Sequence, residues 1–181
     1  MRPGRWLPLL AFAALVALLS AGVWLSGRGD RDALPSPLIG KAAPAWSLPL
    51  LHEPDRRLSS EDLRGAPYVL NVWGSWCPEC RTEHPVLTRF AETKRVRVVG
   101  YDWKDERADA LRWLEQFGNP YWAVVADIEG RTAIDWGVYG APETFLVDGN
   151  GIVRWKHVGP MDDDDIERGL LPALESLERP R

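Results

Sequence analysis

Residues 68–81 read YVLNVWGSWCPECR, and the fold turns on this stretch. Residues 68–73 are mostly apolar and rich in β-branched and aromatic types, which predicts a strand buried on both faces. Gly74 and Ser75 end it. Trp76, Cys77 and Pro78 then open a helix predicted over 78–93, because proline at the first helical position gives up an N–H that has no partner there. Val86, Leu87, Phe90 and Ala91 recur on one face of that helix, whereas Arg81, Glu83, Arg89 and Glu92 are polar. Pro85 interrupts the pattern at a place suited to a kink.

Outward from this unit, strands and helices alternate. Residues 46–51 predict a short strand interrupted by Pro49, and 52–57 a polar turn. Ser59 with Asp62 three residues on predicts a cap for a short helix at 60–64. Residues 96–101, VRVVGY, predict a second buried strand. Residues 106–117 carry Ala110, Leu111, Leu114 and Phe117 on one helical face, closed by Gly118. Residues 122–127 predict a strand and 127–130 its turn. Residues 144–147 and 152–157 predict two more strands, joined by Asp148-Gly149-Asn150-Gly151, a strong hairpin signal. The last helix begins in the acidic run 162–165, which suits a helix N-terminus. Its apolar face is Ile166, Leu170, Leu171, Leu174 and Leu177, with a bend expected at Pro172. The order β-α-β-α-β, hairpin, α predicts a three-layer α/β/α fold with a mixed central sheet. Parallel crossovers followed by an antiparallel hairpin are the parts of a thioredoxin-like domain.

The chain has 181 residues and a net charge of −4. The acidic excess leaves no basic face for a nucleic acid, so no nucleic-acid partner is expected. With 45% hydrophobic and 27% charged residues the composition is globular. Residues 6–25, WLPLLAFAALVALLSAGVWL, carry no charge and match the roughly 20 residues that span a bilayer. Arg2 and Arg5 precede them, and the charges of Arg28, Asp30, Arg31 and Asp32 cancel after them, so the N-terminus is expected to stay cytoplasmic. The expected organisation is a cytoplasmic N-terminus at 1–5, a transmembrane anchor at 6–25, a tether at 26–37 and an exported domain at 38–181. Ser20-Ala21-Gly22 would also suit a cleaved signal peptide. The apolar region of a signal is about 7–15 residues, however, and this one continues through Leu25.

Only two cysteines occur, Cys77 and Cys80. At a helix mouth, unpaired N–H groups and the helix dipole stabilise a thiolate, lowering a thiol from about 8.5 by several units. Cys77 is therefore expected to be the exposed nucleophile, with Cys80 one turn deeper to resolve a mixed disulfide. Glu79 places a like charge beside the thiolate and should moderate that effect. A structural disulfide would close only a tiny loop. A c-type haem attachment needs His after the second Cys, where Arg81 stands. Cys77, Cys80 and His84 could share one helical side and offer a soft metal three ligands, although no fourth is evident; no metal or cofactor is expected.

Glu83, three residues after Cys80, either exchanges a proton with the resolving thiol or is a solvated surface acid. Gly140-Ala141-Pro142 reads as a tight loop before a strand, where the X–Pro bond can be cis and would lay a rigid loop, followed by Glu143, against the cysteines. Trp73 and Trp76 flank the site; Trp76 is expected to shield or shape it, and Trp73 divides between that role and core packing. Trp103, Trp113, Trp122, Trp136 and Trp155 either line a surface for a polypeptide or pack in the core. His52 and His157 are expected at the surface or its boundary.

The segments VLNVWGSWCPECRTEHPVL, RVVGYDWKDE, GNPY and GVYGAPETFLVDGNGIVRWKHVGP together resemble the DsbE/CcmG family of cytochrome c biogenesis thiol:disulfide interchange proteins. The resemblance covers about 38–178, and a single N-terminal anchor is also the family pattern. It implies a thioredoxin-like reductant in the bacterial periplasm, held in the inner membrane by its N-terminal helix. Such a protein keeps the haem-site cysteines of apocytochrome c reduced, directly or through a thioredoxin-like maturation partner, and a membrane thiol transporter supplies its electrons. By the resemblance, Cys77 and Cys80 are the redox pair and Pro142 is the cis-proline. Glu83 and Glu143 are implied as modulating acids, beside Trp76, Pro78 and Glu79. Gly74 departs mildly from the alanine common before the Ser/Thr-Trp-Cys segment. Two other functions compete: a general exported dithiol oxidant, and a tethered module that binds apocytochrome, haem or copper without turnover.

Overall fold

The computed structural model describes residues 7–26 and 36–178, which divide into two units at Leu34 and Pro35. In the first unit the described residues form one helix, α1 (Leu7–Ser26), with Leu9, Leu10, Phe12, Leu18 and Leu19 exposed. Its side chains are described over residues 8–22, and among the described residues no helix is long and apolar enough to cross a membrane. The expected cytoplasmic residues 1–5 and most of the tether lie outside the described residues.

In the second unit, burial on both faces puts β3 (Tyr68–Trp73) at the centre of the sheet. The strand order is β5-β4-β3-β6-β7. β4 (Arg97–Trp103) and β5 (Ala123–Asp127) run parallel to β3 on one side; β6 (Glu143–Val147) and β7 (Val153–Val158) form the antiparallel hairpin on the other. Right-handed crossovers that step twice in one direction put both connecting helices on one face. Accordingly α2 (Pro78–Glu92) and α3 (Arg107–Phe117) bury Leu87, Phe90, Trp113 and Leu114 in one core, with Val69 and Trp73 of β3. Alternation sends Tyr68, Leu70 and Val72 to the opposite core. There they meet the ribbon of β1 (Ser47–Pro49) and β2 (Arg57–Ser59) and the short helix α4 (Arg131–Asp135). The chain reverses direction across the sheet between β5 and β6, and open α/β sheets bind ligands at the strand ends beside such a reversal.

The structure departs from expectation in several places. Arg57, expected to end the turn, instead opens a strand with Leu58 and Ser59, since Leu58 is buried opposite Leu48. α4 has no apolar repeat to announce it; its Ala133 N–H is held instead by the Asp127 carboxylate at 3.1 Å. α2 runs on through Pro85. At the C-terminus, Asp162 and Asp165 cap each other's N–H groups at 2.9 Å to start α5 (Asp163–Asp165). A π-helical turn, Ile166–Leu170, leads into α6 (Leu171–Glu178). Pro172 has no N–H to donate, and the wider turn absorbs that loss where a simple bend was expected.

The tryptophans do not form one surface. Trp113 packs against Trp73 in one core, the rings tilted by 36° with centroids 4.9 Å apart. Trp103 and Trp136 belong to the other core, Trp155 is partly buried, and Trp122 is exposed. His52 is exposed, but His157 is buried beneath Trp155, with Nε2 3.8 Å from Asp165.

Candidate active site

The chain leaves β3 at Trp73 and turns through Gly74 and Ser75 into α2. Asp105, just past the end of β4, fixes this turn: its carboxylate accepts Ser75 Oγ–H at 2.8 Å and the Ser75 and Glu106 backbone N–H groups. Cys77 caps α2, its sulfur accepting the Cys80 N–H at 3.1 Å, and Pro78 takes the first helical position as expected. Cys77 and Cys80 are joined in a disulfide with Cα atoms 5.4 Å apart. Trp76 lies half exposed beside the pair, its indole N–H donating to the Trp103 carbonyl at 3.1 Å. Glu79 and Pro78 are exposed on the first turn.

The Ala141–Pro142 peptide is cis, and the Ala141 carbonyl oxygen lies 3.3 Å from Cys77 Sγ. This corrects one expectation. Cys77 is 3% exposed, hardly more than Cys80 at 2%, so in the disulfide form neither sulfur is an exposed nucleophile. The helix mouth that stabilises the sulfur is also where the proline loop folds over it.

Beneath the disulfide, on the α2 side of the sheet, lies a buried polar network. Glu83 is one turn after Cys80 and 1% exposed, so it is no surface acid. Its carboxylate accepts Asn71 Nδ2–H at 2.9 Å and the Met161 N–H at 3.1 Å. Asn71 also donates to Thr144 Oγ1 at 3.0 Å and accepts the Tyr121 hydroxyl at 2.8 Å. Burial outweighs these hydrogen bonds and pushes Glu83 up to about 7. Asp102, paired in register with Trp73, faces the same core. Burial, then the negative charge of Asp105, pushes it up to about 8, so at neutral pH it holds a proton. Close packing completes this floor: a Cβ at Gly100 would sit 2.8 Å from the Tyr121 ring and 3.0 Å from Trp73 Nε1.

Across the sheet, Glu143 is fully buried. Its Oε1 accepts the Tyr139 and Gly140 N–H groups at 3.0 and 3.3 Å, and its Oε2 pairs with Lys156 Nζ at 2.7 Å.

Cys77, Cys80, Trp76, Glu83, Pro142 and Glu143 therefore converge around one strand end. His84 points elsewhere: its Nε2 is 3.2 Å from the Phe117 carbonyl oxygen, its ring meets Trp113 edge-on, and burial lowers its basicity. Among the described residues no three His, Cys, Asp or Glu side chains cluster to hold a metal. Sequence reasoning missed Asn71, Asp102, Asp105, Tyr121, Thr144 and Lys156. The one signal for Asn71 was a polar residue inside an otherwise apolar predicted strand; Asp102 falls just past the end of the strand predicted at 96–101, and the observed strand runs on to Trp103.

Residues 38–170 match the Redoxin family. A thiol:disulfide interchange protein DsbE of Xylella fastidiosa is 60% identical over 164 residues, covering 91% of this chain and 82% of that protein. The DsbE of Pseudomonas aeruginosa is 46% identical over 171 residues, covering 94% and 92%. A crystal structure from Chlorobium tepidum, described as a DsbE, superposes with a TM-score of 0.66 at 30% identity, covering 75% of this chain and 97% of that one. The chain belongs to the DsbE family of thiol:disulfide interchange proteins and is a thiol:disulfide oxidoreductase.

Proposed function

We propose that the protein is a membrane-anchored periplasmic reductant that delivers electrons to the haem-site cysteines of apocytochrome c, or to a thioredoxin-like maturation partner. A membrane thiol transporter reloads it. The observation that carries this reading is the Cys77–Cys80 disulfide at a helix mouth, one turn before the buried carboxyl group of Glu83. The DsbE relatives support the interchange chemistry, and the resemblance of the cysteine and proline-loop motifs suggests the pathway. Twenty uncharged residues at 6–25, helical from Leu7 and preceded by Arg2 and Arg5, support a retained inner-membrane anchor with the domain outside.

In the forward direction, the Cys77 thiolate attacks one sulfur of the substrate disulfide. A Cys77–substrate bond forms, the substrate S–S bond breaks, and the released thiolate takes up the proton that Cys77 lost. Cys80 then gives its proton to Glu83 and attacks Cys77 Sγ. The second substrate thiolate leaves with that proton, so two electrons and two protons have passed to the substrate. A base with a pKa near the working pH suits this transfer. Pro142 and Glu143 shape the loop over Cys77, Trp76 shields one side, Pro78 starts the helix, and Glu79 tempers the positive helix end.

The test is a full-length Cys80→Ala variant produced in the bacterial periplasm. It should accumulate a mixed disulfide through Cys77 with an apocytochrome c or a thioredoxin-like partner. A variant that captures neither, or that captures many unrelated exported proteins, contradicts this reading and in the second case favours a general oxidant.

A further inference from the structure

We propose that Lys156 is a positioning residue for disulfide interchange: from β7 it fixes Glu143, and through Glu143 it holds the loop before Pro142 against Cys77.

Lys156 stands opposite Phe145 in the β6–β7 pair, while Glu143 stands opposite Val158. The two side chains are thus diagonal neighbours on one face, within reach of long side chains. The Lys156 side chain is 7% exposed and that of Glu143 is 0% exposed. Lysine is almost never so buried unless it is paired. Here Nζ is 2.7 Å from Glu143 Oε2 and 3.3 Å from the Gly137 carbonyl oxygen, at the start of the same loop. The ammonium also lies over the Phe145 ring at 4.8 Å and the Tyr139 ring at 5.5 Å. The other carboxylate oxygen takes the Tyr139 and Gly140 N–H groups. The next residue is Ala141, whose carbonyl oxygen lies 3.3 Å from Cys77 Sγ. A single connected path therefore runs from the cation through a carboxylate and two amides to the reacting sulfur.

The path depends on charge. Without the ammonium, Glu143 is a buried carboxylate facing only two amides, a costly state that drives the side chain out of its place. The two charge-assisted amide bonds are then lost, and the loop they hold is freed. The inference rests on the interchange chemistry of Cys77 and Cys80, and is independent of which disulfide is reduced in the cell.

The test compares the full-length wild type with Lys156→Met and Lys156→Arg, using a synthetic peptide with one internal disulfide as substrate. Hydrogen exchange at the Tyr139 and Gly140 amides reads the loop. In Lys156→Met both amides should exchange about tenfold faster, and peptide reduction should slow about tenfold. Lys156→Arg keeps the cation and should stay within about twofold of wild type in both. Unchanged amide protection in Lys156→Met overturns the proposal. So do equal losses in the Met and Arg variants, or normal peptide reduction despite faster exchange. Should Lys156→Met fail to fold, Glu143→Gln removes the other charge of the pair with little change of volume, breaking the same link, and must show the same two tenfold changes. Because the peptide is synthetic, a cellular substrate other than apocytochrome leaves every outcome readable.

Discussion

Two buried glutamates flank the same strand end, one on each face of the sheet, and they have opposite surroundings. Glu83 meets only neutral donors, Asn71 and the Met161 amide, and is pushed up to about 7. Glu143 meets an ammonium at 2.7 Å as well as two amides. Burial is nearly the same for both, so the partner decides what each acid does. On the reading proposed above, one exchanges a proton with Cys80 and the other holds a loop.

Removing the paired acid should have the largest effect on stability. Glu143→Ala leaves Lys156 buried without a partner, and the oxidised protein should lose about 3–5 kcal/mol in chemical denaturation at pH 7. A loss below about 1 kcal/mol would mean that the ammonium escapes to solvent, and the contrast between the two acids would break. Next comes Glu83→Gln. Resolution of a Cys77 mixed disulfide should slow about 100-fold, the low end for loss of a general base. Its pH profile should lose the step near pH 7.

The same acid makes a separate prediction for stability. Its pKa is raised in the folded state, from 4.5 to about 7, so the native protein binds more protons than the unfolded chain between those values. Stability should therefore fall as pH rises from about 4.5 to about 7, and Glu83→Gln should flatten this part of the curve, leaving the part due to Asp102. Asp102→Asn should stabilise the oxidised protein more at pH 9 than at pH 5, because Asp102 must ionise in its buried place only at the higher pH. The smallest effect is expected at Ser75→Ala. Loss of the 2.8 Å bond to Asp105 should lower stability by about 1 kcal/mol, read as a shift in the denaturation midpoint.

Much of the fold was legible because its central strands are apolar runs and its helices carry a 3.6-residue repeat. β2 and α4 were not, since three and five residues are too few to show a period and are held by partners outside the element: Leu58 by Leu48, and Ala133 by Asp127. The cysteine pair could be placed from local spacing alone; spacing leaves Glu83 between the site and the surface, and the cis-proline loop rests on the family resemblance. Asn71, Tyr121 and Thr144 could not, because they meet only when β3, β6 and the segment before β5 are assembled. Lys156 needed the register of the hairpin, and the burial of Cys77 needed the loop from residue 141 to lie across the helix mouth.

The decisive experiment is alkylation of the fully reduced protein by iodoacetamide across pH, with the modified cysteine identified by mass. Cys77 should react first, with an apparent pKa below the free-thiol value of about 8.5, while Cys80 stays protected. Prior modification of Cys80, or a Cys77 that remains inert at every pH short of unfolding, would show that the sulfur at the helix mouth is not the nucleophile.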